Sequence, residues 1–313
     1  MSFQNISGLS IEFVLGGFDS IQRPLPVGIV LLLVYLTSLL ANLANIYFIV
    51  TDKHLHQPMY LFMCNLAIVD IVVCTSVCPT MICTLITGYK TISYAPCIFQ
   101  MFLFHISSAM EMFAISAMAF DRFVAIASPL RYHSILSNFR CVLISIGLWI
   151  LACALLIVCP ATIIPLTVCH STLKYVFCDY AALIRASCVD PNPYFNILSA
   201  VFSFFYFGSF GFICLTYIKI AVIVLKMSSK SDRKKVLNTC LSHLIVIMCF
   251  YVPTFVQVFL TRLGVVLTLE ERHGLLIGAF LGPSLVNPFI YCLRTKEIRT
   301  KLIRILSKVE PAS

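Results

Sequence analysis

Two acids stand where acids are costly. Asp70 and Glu111 each lie inside a long apolar run that holds no other charged residue from Met59 to Leu85 and from Cys97 to Ala119. A carboxyl group in hydrocarbon faces the interior of a helix bundle, where it shares a proton with a partner or binds a cation. A third acid, Asp121, directly precedes Arg122 at the point where an apolar run gives way to Pro129, Arg131, Tyr132 and His133. An Arg at such an edge either snorkels to the interface or is held by the neighbouring carboxylate as a latch. Cys97, Cys169, Cys178 and Cys188 fall at the start of one apolar run and in one long loop, positions suited to disulfides on an oxidising face. Four cysteines allow three pairings, and the sequence alone does not choose among them. Most of the remaining cysteines sit inside apolar runs, where a free thiol behaves as a small hydrophobe. Asn5-Ile6-Ser7 forms an N-glycosylation sequon, usable if the first tail is extracellular. No charged stretch followed by an apolar stretch and a cleavage site marks a removable signal peptide.

The elements that must position these groups are membrane spans. The 313 residues are 60% hydrophobic and 11% charged, with a mean hydropathy of +0.98, which excludes a water-soluble globular domain. Apolar runs extend over Leu25 to Val50, Met59 to Leu85, Cys97 to Ala127, Cys141 to Ile164, Tyr194 to Leu225, Val236 to Leu260 and Leu269 to Leu293. Each exceeds the roughly 20 residues that a helix needs to cross the bilayer and the roughly 10 that a membrane strand needs. The reading is an all-α membrane protein, a seven-transmembrane helix bundle over 25–293, with a tail at 1–24 and a second tail at 294–313. Ile298, Leu302, Ile303, Ile305 and Leu306 share one side of that second tail, which predicts a short amphipathic eighth helix along the membrane surface.

The net charge of +9 would suit a nucleic acid or an anionic membrane, and its distribution favours the membrane. With the first tail outside, only Arg23, Lys90, Lys174, Arg185, Arg262 and Arg272 of the 22 Lys and Arg are external. The positive-inside rule then puts the N-terminus outside and the C-terminus in the cytoplasm of a multi-pass membrane protein, with no nucleic-acid partner. The cluster from Lys230 to Lys235 serves orientation and attraction to anionic lipid, or docking of a cytoplasmic partner.

The stretch Met118 to Tyr132, MAFDRFVAIASPLRY, resembles the MAYDRYVAICxPLxY signature of odorant receptors, a branch of the rhodopsin-like G-protein-coupled receptors, with Phe120, Phe123 and Ala127 as departures. Further matches run in order along the chain: Asn42, His56-Gln57-Pro58-Met59-Tyr60, Leu66-Ala67-Ile68-Val69-Asp70 and Trp149. Lys235 to Leu244 resembles KAFSTCxSHL, and Pro283 to Tyr291 resembles PxxNPxIY. The resemblance implies a receptor that binds a small-molecule odorant between its helices and activates a heterotrimeric stimulatory G protein to raise cyclic AMP. It implies an activation switch of Asp121, Arg122, Tyr217, Asn287, Pro288 and Tyr291, with Pro288 as a hinge because it removes a helix hydrogen bond. It also implies disulfides Cys97–Cys178 and Cys169–Cys188. For Asp70 and Glu111 it favours a structural sodium ion over a shared proton, and it implies no other cofactor.

Ligand contacts are expected from His105, Ser108, Val201, Phe205, Tyr251 and Val258, in an apolar cavity with a few polar anchors. Phe104 stands where amine receptors carry an acid, which argues against an amine ligand anchored there. Tyr251-Val252-Pro253 resembles the class I, fish-like branch, in some members of which an Arg at the position of Arg262 binds a ligand carboxylate. A guanidinium suits that role. The plain alternative is that Arg262 caps its span or pairs with Glu270 or Glu271. A non-olfactory chemosensor on the same fold is the nearest rival function. A transporter or channel fits poorly, since no internal repeat is visible and only two acids lie at mid-membrane. An intramembrane enzyme fits poorly too, because His105 and His243 lie at opposite ends of their spans and no catalytic pair shares their depth.

Overall fold

A computed structural model describes residues 12–262, 268–294 and 300, with the side chains at 257–262, 269, 270 and 291–294 left aside. Among the described residues, seven helical spans are long and apolar enough to cross a membrane. They are α1 (Pro24–Thr51), α2 (Pro58–Thr87), α3 (Tyr94–Ala127), α5 (Asn138–Leu156) continued by α6 (Val158–Ile163), α8 (Asn192–Lys226), α9 (Lys230–Arg262) and α10 (Leu269–Arg294). Two short helices, α4 (Tyr132–Ile135) and α7 (Tyr180–Ala186), lie in the connections.

Local chemistry sets the helix ends. Pro24 and Pro58 open α1 and α2, where a missing N–H costs nothing. Ser137 caps α5 by accepting from the Arg140 N–H, and Asp179 caps α7 by accepting from the Ala181 N–H at 3.1 Å. Gly88 ends α2 in the left-handed region at φ 73°, which a side chain would resist. α2 and α3 are the most enclosed spans, and α1 and α5 the most peripheral. Large apolar side chains such as Val30, Leu40, Ile150 and Leu225 point outward, 60–70% exposed. Such a surface is stable only against lipid.

The seven-span reading stands, with boundaries within three residues of the apolar runs except at the start of α9, which begins six residues before Val236. One element was not foreseen. Part of the expected tail at 1–24 is packed structure: β1 (Glu12–Leu15) is the middle strand of a small sheet, antiparallel to β2 (Thr91–Ser93) and parallel to β3 (Thr172–Leu173). Phe13 and Leu15 are buried beneath it. Gly17 follows, so close to the loop that a Cβ would stand 2.3 Å from the Tyr175 carbonyl carbon. Its own carbonyl accepts from His273 Nδ1 at 3.1 Å, and Asp19 pairs with Lys90. Disulfides Cys97–Cys178 and Cys169–Cys188 fasten the long loop that carries β3 and α7 to α3 and to itself. Gln100 of α3 ties the loop further. Its Oε1 accepts from the Cys178 N–H at 2.9 Å, and its Nε2 donates to Ser76 O and Thr80 Oγ1 of α2. The end of the bundle that holds the disulfides is thus capped by loop, strand and helix together. Asn5 and the amphipathic helix expected within 294–313 lie outside the described residues.

Candidate functional site

The end of α3 away from the disulfides holds the latch. Asp121 is 1% exposed and accepts from Arg122 Nε at 3.1 Å and Nη2 at 2.8 Å through one carboxylate oxygen. Its other oxygen accepts from the Tyr132 hydroxyl at 2.6 Å. Burial, with the Asp121 carboxylate beside it, pushes the Tyr132 phenol well above its ordinary range, so it stays a donor. Tyr132 belongs to α4, and the turn Pro129–Arg131 brings it back under α3. A second buried bridge lies nearby. His243 of α9 touches the Ile115 carbonyl of α3 through Nε2 at 3.1 Å and the Tyr217 hydroxyl of α8 through Nδ1 at 2.8 Å. A carbonyl only accepts, so Nε2 carries the proton, and in a neutral ring Nδ1 accepts from Tyr217. Three helices are thereby held by one imidazole.

Deeper in the bundle, Asp70 and Glu111 are neighbours and both buried. Asn287 of α10 donates to Asp70 at 3.1 Å and 3.4 Å. Asn287 therefore joins the acid pair. Pro288 explains a further contact. Without an N–H it leaves the Ser284 carbonyl, four residues back, without its helix partner. Asn42 Nδ2 and Ser38 Oγ of α1 supply the donors instead, at 3.0 Å and 2.9 Å. Glu111 Oε1 and Asn287 Oδ1 are buried without hydrogen-bond partners. Two orphan oxygens beside Asp70 make an oxygen-only donor set, which suits a small hard cation. No cluster of three His, Cys, Asp or Glu able to hold a metal occurs among the described residues.

Towards the capped end, His105 Nε2 lies 3.3 Å from Asp179 of the loop, within ion-pair range but without a hydrogen bond. Burial alone would raise the Asp179 carboxyl. The His105 ring and the N–H groups of Ala181 and Tyr180 outweigh burial and hold it below its ordinary range. Ser108 and Val201 are half-buried. Phe205 packs on Phe113 with ring centroids 5.2 Å apart. Tyr251 pairs its hydroxyl with Ser209 at 2.6 Å and packs against Tyr206 and Phe210. Phe104, Phe177 and Phe280 pack together and close the side towards α2 and α10. The side chains of Val258, Arg262 and Tyr291 are among those left aside.

The model of the olfactory receptor family matches residues 31–309. Human olfactory receptor 1M1 is 35% identical over 275 residues, covering 88% of this chain and 87% of its own. Mouse olfactory receptor 1M1 is 35% identical over 314 residues, covering 98% of each. The chain belongs to the olfactory receptor family. Human olfactory receptor 13F1, 33% identical over 96% of this chain and 94% of its own, shows the same breadth of likeness. The receptor is thus a multi-pass plasma-membrane protein, not an enzyme, that binds small-molecule odorants and signals through a stimulatory G protein to cyclic AMP.

Within this olfactory receptor, sequence reasoning brought Asp121 with Arg122 and Asp70 with Glu111, and the structure joins both pairs. It missed the second donor on Asp121, although Tyr132 ends the same motif, and it gave His243 no role, although the SHL run contains it. Gln100 carried no signal, because an amide near a helix start reads as ordinary polarity until its three partners are in place. Leu130, between latch and α4, is fully exposed.

Proposed function

We propose that the described conformation is the resting state of a class I odorant receptor for a small carboxylate, with its N-terminus extracellular and its latch end in the cytoplasm. The observation that carries this reading is Asp121, engaged at once by Arg122 and Tyr132. Agonist binding favours a state in which the foot of α9 moves away from α3, breaking the His243 bridge and releasing Arg122 into a cleft for the G protein. The odorant shifts this equilibrium only by its differential affinity for the two states. Orientation is supported by the basic residues gathered at the latch end and the disulfides at the other. The same basic residues, Lys230 to Lys235 among them, meet anionic lipid of the inner leaflet. Asp70, Glu111 and the Asn287 side-chain oxygen would hold a sodium ion, which supplies the positive charge that the buried carboxyl pair lacks.

One feature supports a carboxylate ligand: Arg262 ends α9 at the end of the bundle that holds the disulfides. Tyr251-Val252-Pro253 supports the class I branch by its likeness to that group. The test is cyclic AMP in cells carrying surface-verified receptor, challenged with carboxylates and their matched neutral esters. Carboxylates are expected to respond and esters to be weaker, with the response falling about tenfold or more in potency in Arg262→Ala, the worth of a charge-assisted pair. Equal responses to esters, unchanged in Arg262→Ala, would remove the anchor.

A further inference from the structure

On the membrane-facing surface at the disulfide end, α1 and α10 do not close on one another. Between them lies a crevice of about 330 Å³. Val27, Val30 and Val34 of α1 form one wall, Gly278 and Gly282 of α10 the other, and Phe18 of the N-terminal segment the roof. Among the described residues, no polar side chain lines it. A Cβ built on Gly278 or Gly282 would meet nothing within 4 Å, so the two glycines leave real space rather than admitting a close helix contact. Between packed soluble elements such a gap would forfeit dispersion contacts. In a bilayer it is filled by hydrocarbon.

The rim adds a charge. Arg23 immediately precedes α1, one turn above Val27, and is exposed. It forms no ion pair among the described residues, whereas nearby Lys90 is matched by Asp19 and Arg272 stacks over the Tyr175 ring. A guanidinium at interface depth, above an apolar slot running into the hydrocarbon, matches a molecule with a phosphate at one end and a chain at the other. We infer that the α1–α10 crevice binds one phospholipid of the adjoining leaflet, its phosphate at Arg23 and one acyl chain against Gly278 and Gly282. The inference rests on the membrane-embedded reading of α1 and α10 and is independent of the odorant. A sterol would fill the slot but leave Arg23 without a phosphate, and a second receptor copy would bring a helix to the glycine face.

Full-length receptor is reconstituted in nanodiscs with a phosphatidylcholine that carries a photoreactive group on one acyl chain, and labelled peptides are mapped. Label is expected on the segments around Val27–Val34 and Ile277–Leu285. It should fall about tenfold in Gly282→Leu, which fills the slot and removes burial of about two methylene groups. Open space at both glycines means that this change and Gly278→Leu leave the bundle folded, checked by surface level and by the odorant response. Arg23→Gln should reduce phosphatidylcholine label severalfold while leaving a photoreactive diacylglycerol unaffected, since the charge-assisted contact alone is lost. Label unchanged in both glycine variants, displacement by cholesterol rather than by phosphatidylcholine, or receptor-to-receptor crosslinks through α10 would each overturn the proposal. Loss of label together with preserved cyclic AMP signalling separates this site from the receptor reading itself.

Discussion

Tyr132 makes the latch a three-residue device. The Asp121–Arg122 pair was legible through the MAFDRFVAIASPLRY run around it, since adjacent charges at a span edge alone leave a snorkelling Arg equally open. Its third member was not, because nothing in PLRY shows that the chain turns back to place the phenol under α3. Tyr132→Phe removes a hydrogen bond to a buried carboxylate, worth about 1.5–3 kcal/mol. If that bond is made only in the resting state, basal cyclic AMP rises severalfold at matched surface level; an unchanged baseline would mean that the bond persists on activation. At the other end of α3, Asp179 carries a pH signature. Its carboxyl is held below the ordinary range in the folded receptor, so the unfolded chain binds its proton first as pH falls. The contribution is complete above the ordinary carboxylate value of about 3.9 and is lost as pH falls through the lower folded value. Asp179→Asn should lower the melting temperature of purified receptor near neutrality and flatten its decline on acidification. Parallel wild-type and variant curves would show that the His105 contact contributes nothing.

Elements were read almost completely where they are long and apolar, and hardly at all where they are short. A span announces itself by composition, since lipid accepts few other solutions. The sheet at the capped end pairs strands of two to four residues brought together from the first segment, the α2–α3 turn and the long loop. No periodicity in pieces so short can signal such pairing, and only the burial of Phe13 and Leu15 reveals it. Gly17 is the position on which that packing depends, because the Tyr175 backbone leaves no room for a side chain. Gly17→Val is expected to unseat the N-terminal segment and cost about 3 kcal/mol or more, since backbone cannot yield as a flexible side chain does. Surface display and thermal stability would report it, and a variant as stable as wild type would show that the segment is not a structural lid. The Pro288 hinge sits between these extremes. The proline predicted a freed carbonyl, whereas the donors from Asn42 and Ser38 came into view only once α1 was packed against α10.

For the whole molecule, the charge distribution and the order of motifs along the chain gave the architecture, and the odorant receptor family follows from likeness over nearly the full length. What the linear chain could not give is which contacts are exchanged on activation, since that depends on partners brought together from α3, α4, α8 and α9. In the proposed resting state those contacts form a clamp that opposes coupling until an odorant shifts the balance. Basal and odorant-evoked cyclic AMP in Asp121→Asn, at surface levels matched to wild type, tests this most directly. Loss of the ionic half of the clamp should raise the baseline at least severalfold, with a smaller further increment from odorant, as expected for a stabilisation of about 1.5–3 kcal/mol removed from one state. A baseline equal to wild type with a full odorant response would contradict the clamp.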